Sequence, residues 1–271
     1  MAAPTFALNH MVAPSLPFAD LVKAGAAIGI HHFEIRNDLA GNAILDGTAP
    51  EAIRAEAATA NAEIISINAL QRFNEWTPER EAEARELAAY AAACGAKALV
   101  LVPLNDGSGQ ADGERQANLR TALKALTPIL EQAGLIGLVE PLGFNICSLR
   151  SKKEAAEAIT AVSGSGRFKL VHDTFHHVLA GEPELFPEIT GLVHISGVDD
   201  AGVSIDDMRD PHRVMVTEHD RLDNVGQIRS LLAAGYSGPF SFEPFAEDAA
   251  RDADPATSAR ESIDFILQKL G

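Results

Sequence analysis

The chain is poor in the features that would tie it to nucleic acid, to a membrane or to a disulfide framework. Cys94 and Cys147 are its two cysteines in 271 residues. They lack CxxC spacing and the density of a stapled scaffold, which suits a reducing compartment and two packed thiols. Positive charge is scarce, with 22 Lys and Arg against 38 Asp and Glu and a formal net charge of −16. Such a field repels phosphate backbones and anionic lipid surfaces, and no cluster of Lys and Arg builds a local basic groove. Nucleic acid and membrane are therefore not expected as partners. No apolar run approaches the roughly 18 residues of a membrane span, and the opening residues lack a basic stretch followed by an apolar one, so a cytoplasmic location is expected. Phosphate-binding loops are missing too. Neither GxGxxG after the first strand nor GxxxxGK(S/T) occurs, and Ser163-Gly164-Ser165-Gly166 precedes a strand instead of opening a helix, as a connector does. Absence of GxSxG and HExxH sets aside serine-hydrolase and zincin chemistry.

Apolar residues make up 46% of the chain and charged residues 22%, enough for a sizeable core. Short, mostly continuous apolar runs at 5–9, 32–35, 64–70, 98–103, 136–140, 168–173, 192–196 and 239–243 predict eight buried strands. Helical patterns lie between them at 17–29, 50–61, 78–95, 114–134, 151–162, 182–188, 224–235 and 255–270, and residues 247–256 read as a polar loop. Several helices begin beside Pro and end on Gly, and Thr77 before Pro78, with Glu79 and Glu81 following, has the form of an N-cap with acid in the first turn. Strand and helix alternate throughout. Eight βα units predict a parallel sheet closed into a single-domain α/β fold, the (β/α)8 TIM barrel; an open doubly wound sheet is the alternative.

Four of the late strands end on side chains able to ligate a metal: Glu140 after IGLV, Asp173 after KLVH, His194 after GLV and Glu243 after PFSF. Parallel strands open their C-terminal ends onto one face, so these four share a rim, where unpaired buried charge costs several kcal/mol and a cation relieves it. A single such residue is most often a cap or a salt-bridged group; four on consecutive strands point to a metal site. Three carboxylates and one imidazole suit one divalent ion, Mn²⁺, Zn²⁺, Co²⁺ or Mg²⁺, with positions left open. An ion chelating a carbonyl and the adjacent hydroxyl acidifies the C–H bond and stabilises an enediolate, and Glu140 and Glu243, on opposite sides of the mouth, suit proton removal and return. His176, three residues beyond Asp173 where the strand gives way to loop, either meets substrate, ligates a second metal or is solvated; His177 reads as solvated. Arg213, in the long segment between the last two strands, either clasps substrate or forms a surface salt bridge. Asn9, Glu34, Arg36 and Asn68, at the ends of the first three strands, offer hydrogen bonds suited to a polyol. Phe73 and Trp76 either wall the site or cover the barrel edge.

Jointly, FEIR, SINAL followed by FN, LVPL, EPLG with a nearby cysteine, HDTFHH, VHISGVDD and SFEPF cover nearly the whole chain, and with them it resembles the xylose-isomerase-like TIM-barrel superfamily, in particular its inosose isomerases. The resemblance implies that Glu140, Asp173, His194 and Glu243 hold the metal, that His176 and Arg213 meet substrate, and that the reaction interconverts inososes, cyclic polyol ketones, through an enediol. The chain departs from the family pattern at His172 and over 214–219, both expected to touch the rim. Isomerase or epimerase action on a small polyol ketone is thus the expectation, with a homo-oligomer possible. Competing readings are an inosose dehydratase-type lyase, a ketose 3-epimerase, a phosphodiesterase of the AP-endonuclease type that would recruit His176, Asp210 and His212 as further ligands, and a sugar-binding module without chemistry.

Overall fold

Short runs rich in Val, Ile, Leu and Phe, too brief for helices and buried on both faces, form the strands of a parallel sheet. In the computed structural model, which describes residues 3–271, these are β1 (Thr5–Asn9), β2 (His32–Arg36), β3 (Glu63–Leu70), β4 (Ala98–Leu101), β5 (Ile136–Val139), β6 (Phe168–Asp173), β7 (Thr190–Ile195) and β8 (Pro239–Phe242). Each pairs in parallel with its neighbour in sequence, and β1 pairs with β8, which closes a single-domain (β/α)8 TIM barrel. The helices around it are α1 (Phe18–Ala27), α2 (Pro50–Thr59), α3 (Pro78–Cys94), α4 (Glu114–Ala133), α5 (Lys152–Ala161), α6 (Thr174–Ala180), α7 (Asn224–Ala233), α8 (Glu247–Ala250) and α9 (Pro255–Leu270). Among the described residues no helix is long and apolar enough to cross a membrane.

Side chains alternate across each strand and sort the core into two layers. Phe6, Leu8, Phe33, Ile35, Val193, Ile195, Phe240 and Phe242 belong to the large cluster shared with the helices. Ala98, Val100, Leu138, Val171 and Leu192 form a smaller cluster inside the barrel. Each fully buried aliphatic or aromatic side chain stabilises the fold by about 1.5–3 kcal/mol relative to exposure. Register then fixes the polar layer above this plug: Asn9 lies beside Glu34, Arg36 beside Asn68, Asp173 beside His194, and His194 beside Ser241. Cys94 and Cys147 are both buried free thiols, and Phe73 is fully covered while Trp76 packs on the core edge.

Helix ends follow the expected chemistry at several points. Thr77 caps α3 by accepting from the Arg80 amide at 3.2 Å, and Gly95 closes it in the left-handed region at φ 87°. Two expectations fail. Residues 182–188 form no helix; the helix of this unit is α6, which starts directly after β6 because Asp173 caps it, accepting from the His176 amide at 2.9 Å. Pro183 and Pro187 each lack an amide donor and push the residue before them out of helical geometry, and Glu182 instead accepts from Ser151 Oγ and from the amides of Lys152 and Lys153 at the start of α5. Nor is 247–256 wholly loop, since Glu247–Ala250 makes the single turn of α8.

Gly143, in the loop after β5, lets that loop lie against α6. A Cβ there would stand 2.4 Å from the His176 carbonyl oxygen and 2.5 Å from Leu179 Cβ. Gly143→Ala is expected to cost about 1–3 kcal/mol and to lower the melting temperature by several degrees. A thermal melt superimposable on that of the parent protein would show that the loop does not press on α6 in this way.

Candidate metal centre and active-site cavity

The barrel mouth gathers the four ligand-type residues. One donor atom from each of Glu140, Asp173, His194 and Glu243 lies within 4.8 Å of every other, and all four side chains are buried. His194 Nδ1 is 2.7 Å from Glu140 Oε1, 3.3 Å from Glu243 Oε2 and 3.9 Å from Asp173 Oδ2. Donors sharing an ion at about 2.1 Å sit roughly 3 to 4.2 Å apart, so side-chain shifts of roughly half an ångström suffice for one cation. The residues present therefore fit a divalent ion in spacing as well as in donor type. Asp173 serves two purposes, because Oδ1 caps α6 while Oδ2 faces the cluster. Among the described residues this is the one such group of potential ligands, and His176, Asp210 and His212 do not join it or form another.

A hydrogen-bonded shell holds the four in place. Glu34, fully buried on β2, accepts from Ser66 Oγ and Ser241 Oγ at 2.5 Å each and from Asn9 at 3.3 Å, and His194 Nε2 lies 3.2 Å from its Oε1. With both oxygens occupied, Glu34 orients the imidazole so that Nδ1 points at the cluster, a second-layer role and not the polyol contact expected from its strand-end position. Glu243 is gripped harder still: Oε1 accepts from Asn9, Arg36 and Asn68, and Oε2 from Arg213. Arg36 spends its other donors on Asp38. Arg213 is no surface residue. It is 1% exposed, stacks over Phe175 and Phe245, and donates to Ser196, Asp173 and Glu243. Sequence reasoning missed Ser66, Ser241 and Phe245; the two serines share strand-face parity with Asn68 and Glu243, the signal that was available.

Four buried carboxylates, Glu34, Glu140, Asp173 and Glu243, face two buried guanidiniums, Arg36 and Arg213, leaving two negative charges in excess before His194 is considered. Titration follows that excess. Burial alone would lower His194, yet Glu243, Glu34 and Glu140 hold its imidazole well above the ordinary value. Burial also raises the Glu140 carboxyl, and Glu243 and Asp173 add to the rise against the pull of His194. Asp173 is held at about 2, where Arg213, His176, His194 and the His176 amide together outweigh burial. Glu34 is likewise held at about 2 by His194, Ser241 and Ser66 in spite of burial.

Above the cluster lies a cavity of about 200 Å³ bordered by Glu140, Glu243, Arg36, Asn68, Arg213 and His176, by Asp210, named from the sequence only as a phosphodiesterase ligand, and by Gln71, Asn105 and Phe245, which strand-end reasoning did not single out. His176 is on α6 and 4% exposed, not in a solvated loop. Its ring stands edge-on to Phe144 and Phe175, burial lowers its pKa, and its buried Nδ1 has no hydrogen-bond partner among the described residues. The two departures from the family pattern lie elsewhere. His172 faces outward, bonded to Lys152 Nζ at 2.9 Å and Gln227 at 2.8 Å, and Val214 to Glu218 border a separate outer groove. His177 joins the same buried group, 3.0 Å from Lys152 Nζ, so it too is not a solvated loop residue.

A family model described as a xylose isomerase-like TIM barrel matches residues 22–269. No curated protein sequence matches the chain. Among solved structures, a xylose isomerase domain-containing protein from Salmonella typhimurium LT2 is 31% identical with a TM-score of 0.90, over 100% of this chain and 98% of that one. The IolI protein, solved with a bound zinc atom, is 20% identical with a TM-score of 0.87, over 98% and 99% of the two chains. A D-psicose 3-epimerase from Clostridium cellulolyticum H10, solved with D-tagatose, is 14% identical with a TM-score of 0.73, over 98% and 99%. The last two likenesses are of fold.

Because His194 and Glu140 are both held up in the free protein, a cation that requires a neutral imidazole and an ionised carboxylate must expel protons on binding. Affinity for Mn²⁺ or Zn²⁺ is expected to fall about tenfold per pH unit of acidification for each proton released. Calorimetry in buffers of differing ionisation enthalpy measures that release, and a buffer-independent enthalpy would contradict it. Glu34→Gln leaves all four donors in place but weakens the acceptor behind His194, and about a 10- to 100-fold loss of metal affinity is expected.

Proposed function

Since this chain belongs to the xylose isomerase-like TIM-barrel family, we propose that it is a divalent-metal-dependent isomerase or epimerase of a small polyhydroxylated ketone, with an inosose, 2-keto-myo-inositol, as the preferred candidate substrate. The observation that carries this reading is the convergence of Glu140, Asp173, His194 and Glu243, from four consecutive strands, within 4.8 Å beneath a polar cavity. When bound there, a divalent ion supplies Lewis acidity at a ketone and its neighbouring hydroxyl, which makes the intervening C–H bond acidic.

Glu140 is the residue for proton removal. Its one hydrogen bond among the described residues runs from His194 to Oε1, and its carboxyl borders the cavity, so Oε2 is free to meet a substrate C–H. The C–H electron pair moves into a carbon–carbon double bond, the ketone oxygen takes the negative charge, and the proton passes to Glu140. Return of the proton to the former carbonyl carbon, with the hydroxyl proton passing between the two enediolate oxygens, exchanges ketone and alcohol; protonation of the opposite face of the original carbon by Glu243, with a proton it has taken from solvent, inverts that carbon and leaves the abstracted proton on Glu140. His176 borders the cavity and is assigned to substrate contact on that ground. Arg36, Asn68 and Arg213 border the same space, and their donors also hold Glu243 while substrate is bound. The family's phosphodiesterase chemistry lacks support here, as no further ligand cluster accompanies the first among the described residues.

Incubation of the Mn²⁺-supplemented protein with inososes and ketoses in D₂O, followed by NMR, is expected to show deuterium at the carbon next to the ketone. Elemental analysis should give one ion per chain. Glu140→Gln is expected to keep the ion and to lose exchange by about 10²-fold or more. Silence across the whole panel with metal bound, or full exchange by the metal-loaded variant, would overturn the assignment.

A further inference from the structure

Beside the central cavity lies a second one of about 260 Å³, and Asn105, Phe144 and Asp210 border both. We infer that the two are compartments of one cleft and that the outer compartment receives an apolar, ring-sized substituent carried by the polyhydroxylated substrate. This rests on the function proposed above and specifies its substrate class as a polyol ketone with an appended apolar group.

The wall chemistry argues for that occupant. Phe144 and Leu179 line the outer compartment together with the polar Asn105, Asn145, Asp206, Arg209 and Asp210, and Ile146 and Ile205, 52% and 47% exposed, stand at it from the β5–α5 and β7–α7 loops. A single exposed aliphatic side chain needs no explanation, but two from loops almost 60 residues apart flanking one concavity form an apolar rim that a bound group would cover. Charge argues against a phosphate in the same place. The one cation among the described residues of this wall, Arg209, shares it with Asp206 and Asp210, and its Nη1 is spent on the carbonyl oxygens of Asp206 and Met208. With the polyol over the carboxylates of the inner compartment, a substituent passing Asn105, Phe144 and Asp210 enters the outer one. A volume of 260 Å³ corresponds to on the order of eight or nine waters, ample for a phenyl ring.

Isothermal titration of the Mn²⁺-supplemented protein with methyl and phenyl β-D-glucopyranosides, and with the matching xylosides and galactosides, tests the inference by binding alone. The phenyl member of at least one pair is expected to bind roughly tenfold or more tightly than its methyl partner. In the double variant Ile146→Asp/Ile205→Asp, whose changes fall on exposed side chains and whose fold is checked by its melt, that ratio is expected to collapse to within about threefold. Equal affinities within every pair, or a ratio that survives the double variant, overturn the outer subsite while leaving the proposed reaction standing. Glucose 6-phosphate binding more tightly than phenyl glucoside overturns the apolar assignment. Binding of no glycoside at all overturns the inference, while the deuterium-exchange panel decides the proposed reaction separately.

Discussion

A surplus of buried negative charge at the mouth of a closed barrel is the constraint around which this structure is arranged. Each carboxylate removed from water costs several kcal/mol unless matched, and guanidiniums alone leave two charges unmatched here. The arrangement of neighbours shows how the fold manages this. Both arginines reach Glu243, both lie over the ring of Phe245, and His194 sits between Glu34 and Glu140 with a carboxylate at each ring nitrogen. A single divalent ion with a neutral imidazole brings the balance to zero, so the cluster and a cation are complementary on charge as well as on spacing.

Precision in such a site depends on elements that cannot drift. The ligand-type groups stand on or one residue beyond paired strands, which restricts them more than loops would. Where a loop must contribute, it is stitched down: Gly197 and Val214 form a two-way backbone bridge, and the Arg213 carbonyl accepts from the amides of Phe245 and Ala246. Behind β6, a buried chain from His177 through Lys152 and His172 to Gln227 ties α5, α6 and α7 to the strand that carries Asp173. Lys152 is 4% exposed, and burial lowers its ammonium to about 8.

Much of this was legible before any coordinate. Glu140, Asp173, His194 and Glu243 stand out because a continuous apolar run ending on a charged residue is a local pattern, and so is the Thr77-Pro78 helix start. Glu34 was read for the wrong neighbour. Its place near a strand end is visible in sequence, but the acceptor demands of Ser66, Ser241, Asn9 and His194 come from strands far away along the chain. The helix after β6 was mislaid for a related reason. HDTFHH looks like a strand running into a loop until Asp173 is seen to cap its own successor, and the stretch 182–188 that reads as helical is one that Pro183 and Pro187 forbid.

By itself, the sequence determined the strands, most of the helices, the eightfold alternation and the residue types brought to the strand ends, since periodicity, capping and proline act over a few neighbouring residues. Tertiary structure alone decided that Arg213 is buried, that His172 turns outward while His194 turns inward, and that Glu34 supports where Glu140 faces the cavity. Those outcomes depend on which strands become neighbours at closure and on the register they adopt, and hydrogen bonds spanning 160 or more residues leave no trace in a local pattern.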